Sequence, residues 1–173
     1  MNRKILFKAK RIDWKSLPKK EWWVEGDVQH TISKNIVLIV EAHCDKVYLC
    51  DSSTLCQYTG LTDKTQWEKL SKSEQEKFLS SWNYTEDRQN KIKDWKGKKI
   101  WEGDIVKCNK RTEEFDLYKV VWRKYFADFG VEPINPKYEA QYPIGLSDGV
   151  TLHGCDYKVI GNIFDNAELL EVE

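Results

Sequence analysis

A mainly β protein of β-rich α+β type, with one helical segment set into it, is the fold class this sequence predicts. Three observations predict it. Short runs of β-branched and aromatic residues recur between Gly, Pro, Asn and Asp clusters. Eight Trp, eight Tyr and six Phe suit half-buried pleated surfaces, where large rings supply a core from few positions. The run Lys96-Gly-Lys-Lys-Ile-Trp-Glu-Gly-Asp-Ile-Val106 reads as a turn, a strand end, a second turn at Gly103 and entry into a buried strand. A fainter copy of its centre, Trp23-Val-Glu-Gly-Asp-Val28, predicts a second bend upstream. The chain then divides into an N-terminal antiparallel β region (1–64), a helical insertion (65–95) and a C-terminal small barrel, closed or nearly so (96–173).

Taken in order, Lys4-Ile-Leu-Phe-Lys-Ala-Lys10 alternates as a strand, with Ile5, Phe7 and Ala9 inward and Lys4, Lys8 and Lys10 outward. A turn around Leu17-Pro-Lys-Lys20 leads to a strand over Trp22–Gln29. Asn35–Glu41 and Lys46–Cys50 form a further antiparallel pair across a polar hinge at His43–Asp45, and Gln57–Leu61 follows. Thr65-Gln-Trp-Glu68 and Ser71-Lys-Ser-Glu74 both fit the capping box. An amphipathic helix runs from about Ser73 to Trp82, with Phe78, Leu79 and Trp82 on one face beside Gln75. A weaker helical stretch covers Glu86 to Asp94.

From Ile100 the strands resume: Ile100–Trp101, Asp104–Asn109, Phe115–Arg123 and Tyr157–Ile163. Alternation places Trp122 with Tyr118 and Val120 on a core face. Residues 130–150 hold three of the four prolines and three glycines, which predicts an irregular loop. Near the end, Asp165 with Glu168 predicts a capped helical turn burying Leu169 and Leu170. Ile105, Val106, Val159, Ile160 and Ile163 fill the barrel.

Formal net charge is zero, but residues 1–20 carry eight Lys/Arg against Asp13 alone, and residues 148–173 are acidic. The basic end reads either as a site for nucleic acid or as a partner for the acidic end. Five cysteines without a C-x-x-C pair predict reduced thiols in a bacterial host cytoplasm. The longest apolar block, Ile36–Val40, has strand length and not membrane-spanning length.

Three ordered runs carry a resemblance: Gln57-Tyr-Thr-Gly-Leu-Thr-Asp-Lys64, Gly97-Lys-Lys-Ile-Trp-Glu-Gly-Asp-Ile-Val106, and Val159-Ile-Gly-Asn-Ile-Phe-Asp-Asn166 with Glu168-Leu-Leu170. Together with Phe7-Lys-Ala9 and Trp23–Asp27, the chain resembles the YopX family of phage and prophage proteins over nearly its whole length. That resemblance implies a C-terminal barrel of SH3 type and supplies no activity and no catalytic residues. In the family pattern the first run passes almost directly into the second. Here roughly thirty residues, about Thr65 to Trp95, intervene, as expected of an insertion at an exposed loop tip.

No nucleophile elbow, His-Glu-x-x-His pair or phosphate-binding loop is present in the sequence, so no enzyme is expected. His43-Cys44, Cys50, Cys56 and His153-x-Cys155 lack zinc-knuckle spacing, and no metal or small-molecule cofactor is expected. Asp27 and Asp104 read as acids that cap turns. What remains is a macromolecule-binding module without a membrane role, with a protein partner or self-association as the first reading. A nucleic-acid-binding SH3-like barrel is the alternative. Its candidate contacts are Lys107, Lys110, Arg111, Arg123 and Lys124, beside aromatics of the Trp122–Phe126 run. Trp67, Phe78 and Trp82 are the candidate protein contacts.

Overall fold

Alternation and two short turns make β1 (Phe7–Lys10) and β2 (Trp23–Ser33) an antiparallel pair, joined through 3-10 turns at Trp14–Ser16 and Lys19–Glu21. The structure, a computed structural model, describes residues 5–41, 46–63, 65–80, 92–108, 117–135, 137, 141–144 and 157–171. It divides into two compact units, Met1–Tyr58 with Gln66–Trp95, and Thr59–Thr65 with Lys96–Glu173. The protein is mainly β, and among the described residues no helix is long and apolar enough to cross a membrane.

In the first unit, β3 (Ile36–Glu41) and β4 (Val47–Asp51) extend the pair, and the start of β5 (Cys56–Thr62) lies on the other side of β1. This sheet curls on itself: Arg11, just past β1, bridges to Cys50 on β4, and the Ile12 N–H donates to the Leu49 carbonyl at 3.1 Å. Ala9, Val24, Val37, Ile39 and Cys50 pack inside the curl. The phase of the first strand differs from the expectation at both ends. Ile5 precedes the strand and is exposed, Leu6 is buried, and Lys10 is 3% exposed rather than outward, because tryptophan rings cover it.

The repeat Trp23–Asp27 is not a bend. β2 runs straight through it, Gly26 pairs with Phe7 on one side and Glu41 on the other, and Asp27 is simply exposed. Two neighbouring ladders satisfy the backbone here, so no carboxylate is needed to cap it. Gly26 serves close approach instead: a Cβ there would sit 1.8 Å from the Val40 carbonyl oxygen.

The predicted helix is present as α1 (Lys72–Ser80), and the Ser71/Glu74 capping box forms in both directions, with Ser71 N–H to Glu74 Oε2 at 2.8 Å and Glu74 N–H to Ser71 Oγ at 3.3 Å. The second such pattern fails. Thr65 turns its hydroxyl to Asp63, and Trp67–Lys69 forms a 3-10 turn with no side-chain cap. The expected stretch from Glu86 lies mostly outside the described residues.

In the second unit the end of β5 lies beside β6 (Lys99–Trp101). A five-stranded antiparallel sheet follows in the order β10-β9-β8-β7-β11, with β7 (Asp104–Cys108), β8 (Leu117–Arg123), β9 (Asp128–Pro133), β10 (Tyr142–Pro143) and β11 (Tyr157–Asn162). Among the described residues its strands form an open sheet and not a closed barrel. β9 and β10 correct the expectation of an irregular loop after residue 130; Pro133 and Pro143 sit at the ends of their strands, where a missing N–H is tolerated. Ile100, Val106, Tyr118, Val120, Phe129, Val131 and Tyr157 form the core, while Ile160 is exposed.

The Gly103 bend is a corner that carries the chain from β6 into β7. Gly103 has φ +77°, and the buried Asp104 carboxylate accepts the Trp101 N–H at 2.8 Å. A Cβ on Gly103 would touch Phe164 and Ile163 at 3.3–3.5 Å, so the penalty of substitution is chiefly conformational. Gly103→Val is expected to lose about 1–3 kcal/mol. An unchanged melting temperature in that variant contradicts the corner. At the C-terminus, the Asn162 side-chain oxygen, not Asp165, organises the final turn by accepting the Phe164 and Asp165 N–H groups. Leu170 there is exposed rather than buried.

Candidate functional site

β8 alternates as expected, with Tyr118 and Val120 inward, but it overshoots the core it packs on. Trp122 lies on the same face, edge-on to Phe129 at 4.9 Å between ring centres, yet 43% exposed because little core remains beyond that ring. The placement of Trp122 in the core is thus corrected by where the strand ends, not by its phase.

Beyond Trp122 the chain makes a four-residue loop, Lys124-Tyr-Phe-Ala127, between paired Arg123 and Asp128. The Phe126 N–H closes a turn on the Arg123 carbonyl at 3.1 Å, and Ala127 takes φ +51°, a left-handed geometry that returns the chain to β9. Arg123 lies 6% exposed beneath this loop. Its Nε and Nη2 reach Asp128 Oδ1 and Oδ2 at 2.7 and 2.6 Å, a bidentate pair. Gly130 leaves room for the arginine stem, since a Cβ there would meet Arg123 Cδ at 2.5 Å. The guanidinium also stacks 4.5 Å from the Phe126 ring centre. A neutralised pair therefore props up a loop whose outer surface is Tyr125 at 97% exposure and Phe126 at 68%. This pair of exposed aromatics at a braced hairpin tip is the principal candidate site.

The sequence-predicted contacts distribute unevenly around it. Lys124 is exposed within the tip, whereas Arg123 is consumed by Asp128. Lys107 is exposed but lies opposite Leu117, six residues along β8 from Arg123, about 20 Å at strand rise. Lys110, Arg111 and Trp82 lie outside the described residues. Trp67 and Phe78 do come together, at 5.5 Å, with Trp95 completing an edge-to-face trio at 5.8 and 5.0 Å. The Gln75 amide donates to the Trp67 carbonyl and ties that trio to α1. Tyr125 and Phe126, expected only as stacking aromatics of the Trp122–Phe126 run beside the cations, are the outermost residues of the tip. The signal was there: two adjacent aromatics followed by Ala and Asp, with neither glycine nor proline, between two strands.

A second feature escaped the sequence reading altogether. Asp63 is 1% exposed, and its carboxylate gathers three stretches of the second unit that are far apart in sequence. Oδ1 accepts the N–H groups of Thr65 and Lys98, both at 2.9 Å; Oδ2 accepts the Thr65 hydroxyl at 2.9 Å and the Val159 N–H at 3.1 Å. Asp63 also bonds Lys98 through its own N–H, and Gly97, at φ +111°, is obligatory because a Cβ would fall 1.6 Å from the Asp63 carbonyl oxygen. The arrangement is structural: three backbone N–H groups and one hydroxyl are satisfied by one carboxylate.

Cys50, Cys56 and Cys108 are free and buried. Burial pushes the Cys50 thiol up to about 11, against the opposing pull of Arg11, so it is protonated and unreactive at neutral pH. Among the described residues no three His, Cys, Asp or Glu side chains gather to hold a metal. His43, Cys44, His153 and Cys155 lie outside the described residues.

No curated protein matches this chain. The model of the family described as YopX protein matches residues 90–171, which include β6 to β11 and the aromatic tip. Over that span the chain is YopX-like, as the runs beginning at Gly97 and Val159 indicate.

Proposed function

We propose that this protein is a non-catalytic accessory module of phage or prophage type, working in the bacterial cytoplasm, that docks a protein partner or a second copy of itself through the β8–β9 tip. The observation that carries the reading is the exposure of Tyr125 and Phe126 on a loop braced from below by the Arg123–Asp128 pair. Large exposed rings on a preorganised turn are the ordinary anchors of protein interfaces, because little conformational freedom is lost when they are covered. The tip is poor in charge: Arg123 is neutralised by Asp128, leaving Lys124. That favours an apolar protein surface over a phosphate backbone there. The antiparallel order β10-β9-β8-β7-β11 supports extending the proposal to a small SH3-type barrel.

A photo-crosslinking side chain placed at Tyr125 in the full chain is expected to trap either a dimer or a discrete protein adduct in phage-infected cells. Nuclease treatment leaves that adduct intact, and the same probe at Lys158 fails to form it. The double variant Tyr125→Ala/Phe126→Ala lowers capture at least about tenfold, the effect of losing one or two anchors, while melting as the parent does. Equal crosslinking from both positions, or capture unchanged by the double variant, defeats the reading.

A further inference from the structure

We infer that the first unit carries a binding surface for single-stranded nucleic acid, built from Trp14, Trp22 and Trp23 and the lysines that lie over their rings. Lys10 Nζ sits 4.3, 5.2 and 5.5 Å from the ring centres of Trp14, Trp22 and Trp23, which fixes all three indoles around one cation. Trp14 and Trp22 meet edge-on at 4.7 Å, and the Trp22 indole N–H is held by the Leu17 carbonyl at 2.8 Å. Each of the three residues is half-buried, so part of each remains reachable from solvent. Lys8, Lys15 and Lys19 lie 5.1–5.9 Å from these rings.

Charge points the same way. Residues 8–20 contain six Lys/Arg and one acid, Asp13, which Arg11 engages at 2.7 Å; Glu21 and Glu25 are the next acids along the chain. Lys15, Lys19 and Lys20 are exposed. Flat apolar faces interleaved with cations match a strand that alternates bases and phosphates. An acidic peptide uses the lysines but has nothing to lay on three indoles, and a duplex keeps its base faces stacked on each other. The site belongs to the first unit and does not depend on the aromatic tip.

The test uses the full chain and a fluorescein-labelled thymidine oligonucleotide of about 15 nucleotides, within the usual site size. Anisotropy is expected to rise at about 50 mM salt, and affinity to fall more than about tenfold by about 200 mM. Intrinsic indole fluorescence is quenched on binding. The exposed-residue variant Lys15→Glu/Lys19→Glu/Lys20→Glu, with unchanged circular dichroism, loses at least about tenfold in affinity. The Tyr125→Ala/Phe126→Ala variant binds as the parent does, which separates this inference from the docking of a protein at the tip. No anisotropy change at low salt overturns the inference. Equal competition by duplex DNA, or by polyglutamate, overturns it as well, the latter assigning the surface to acidic proteins. Binding without indole quenching overturns the stacking arrangement.

Discussion

Asp63→Ala is expected to destabilise the second unit by about 3–6 kcal/mol, a large share of what holds a domain of this size together. The carboxylate takes three backbone N–H groups, from Thr65, Lys98 and Val159, and one hydroxyl. Alanine leaves those donors facing a dry hole, at about 1–3 kcal/mol for each buried group left unpaired. Asparagine separates charge from shape. It keeps one acceptor oxygen but turns an NH2 group toward donors, so Asp63→Asn falls between the parent and the alanine variant. Denaturation followed by amide exchange at Lys98 and Val159 reads the effect residue by residue. Parent-like protection of both amides in Asp63→Ala means that the carboxylate is not what holds them.

The second large effect is expected from Gly26→Ala in the first unit, about 3–5 kcal/mol, at the upper end of single-residue effects. The cause differs from that of an ordinary turn glycine. The φ of Gly26 is not positive, yet its missing side chain admits the Val40 carbonyl to within 1.8 Å of where a Cβ belongs. The clashing atom is backbone, and β2 is held between β1 and β3 at this residue, so neither neighbour yields cheaply. The melting temperature and the exchange of amides along β2 and β3 report the opening. A loss below about 1 kcal/mol, the level of a tolerated glycine replacement, rejects the close-approach account.

These two residues also show where the sequence was legible. Trp-Glu-Gly-Asp at 101–104 gave a corner with a positive φ and a capping carboxylate, as its residue types dictate locally. Nearly the same letters at 23–27 gave uninterrupted strand, because pairing on both sides outweighs local turn preference. The capping box at Ser71 could be recognised since all its partners lie within four residues. Asp63 could not, since its partners lie 35 and 96 residues away. β9 was hidden by Gly130 and Pro133, whose roles are to admit the Arg123 stem and to end a strand. For the candidate site, alternation gave the face of Trp122, but its exposure depends on how far the core extends beneath it, which only packing across strands decides. Lys10 is the converse case: a lysine on a strand reads as solvated until three indoles from the following turns and the start of β2 are folded over it.

The way the chain leaves and re-enters the second unit bears on the length of the segment between. Thr62 Oγ1 donates to the Lys96 carbonyl at 2.9 Å, and the Asp63 N–H donates to the Lys98 carbonyl at the same distance. The chain positions on either side of residues 66–95 are thus clasped side by side. Closing a loop whose ends already touch adds only a slowly growing entropic cost with length. A change in the length of the segment between these clasped positions therefore leaves the pairing of Thr62 and Asp63 with Lys96 and Lys98 geometrically possible.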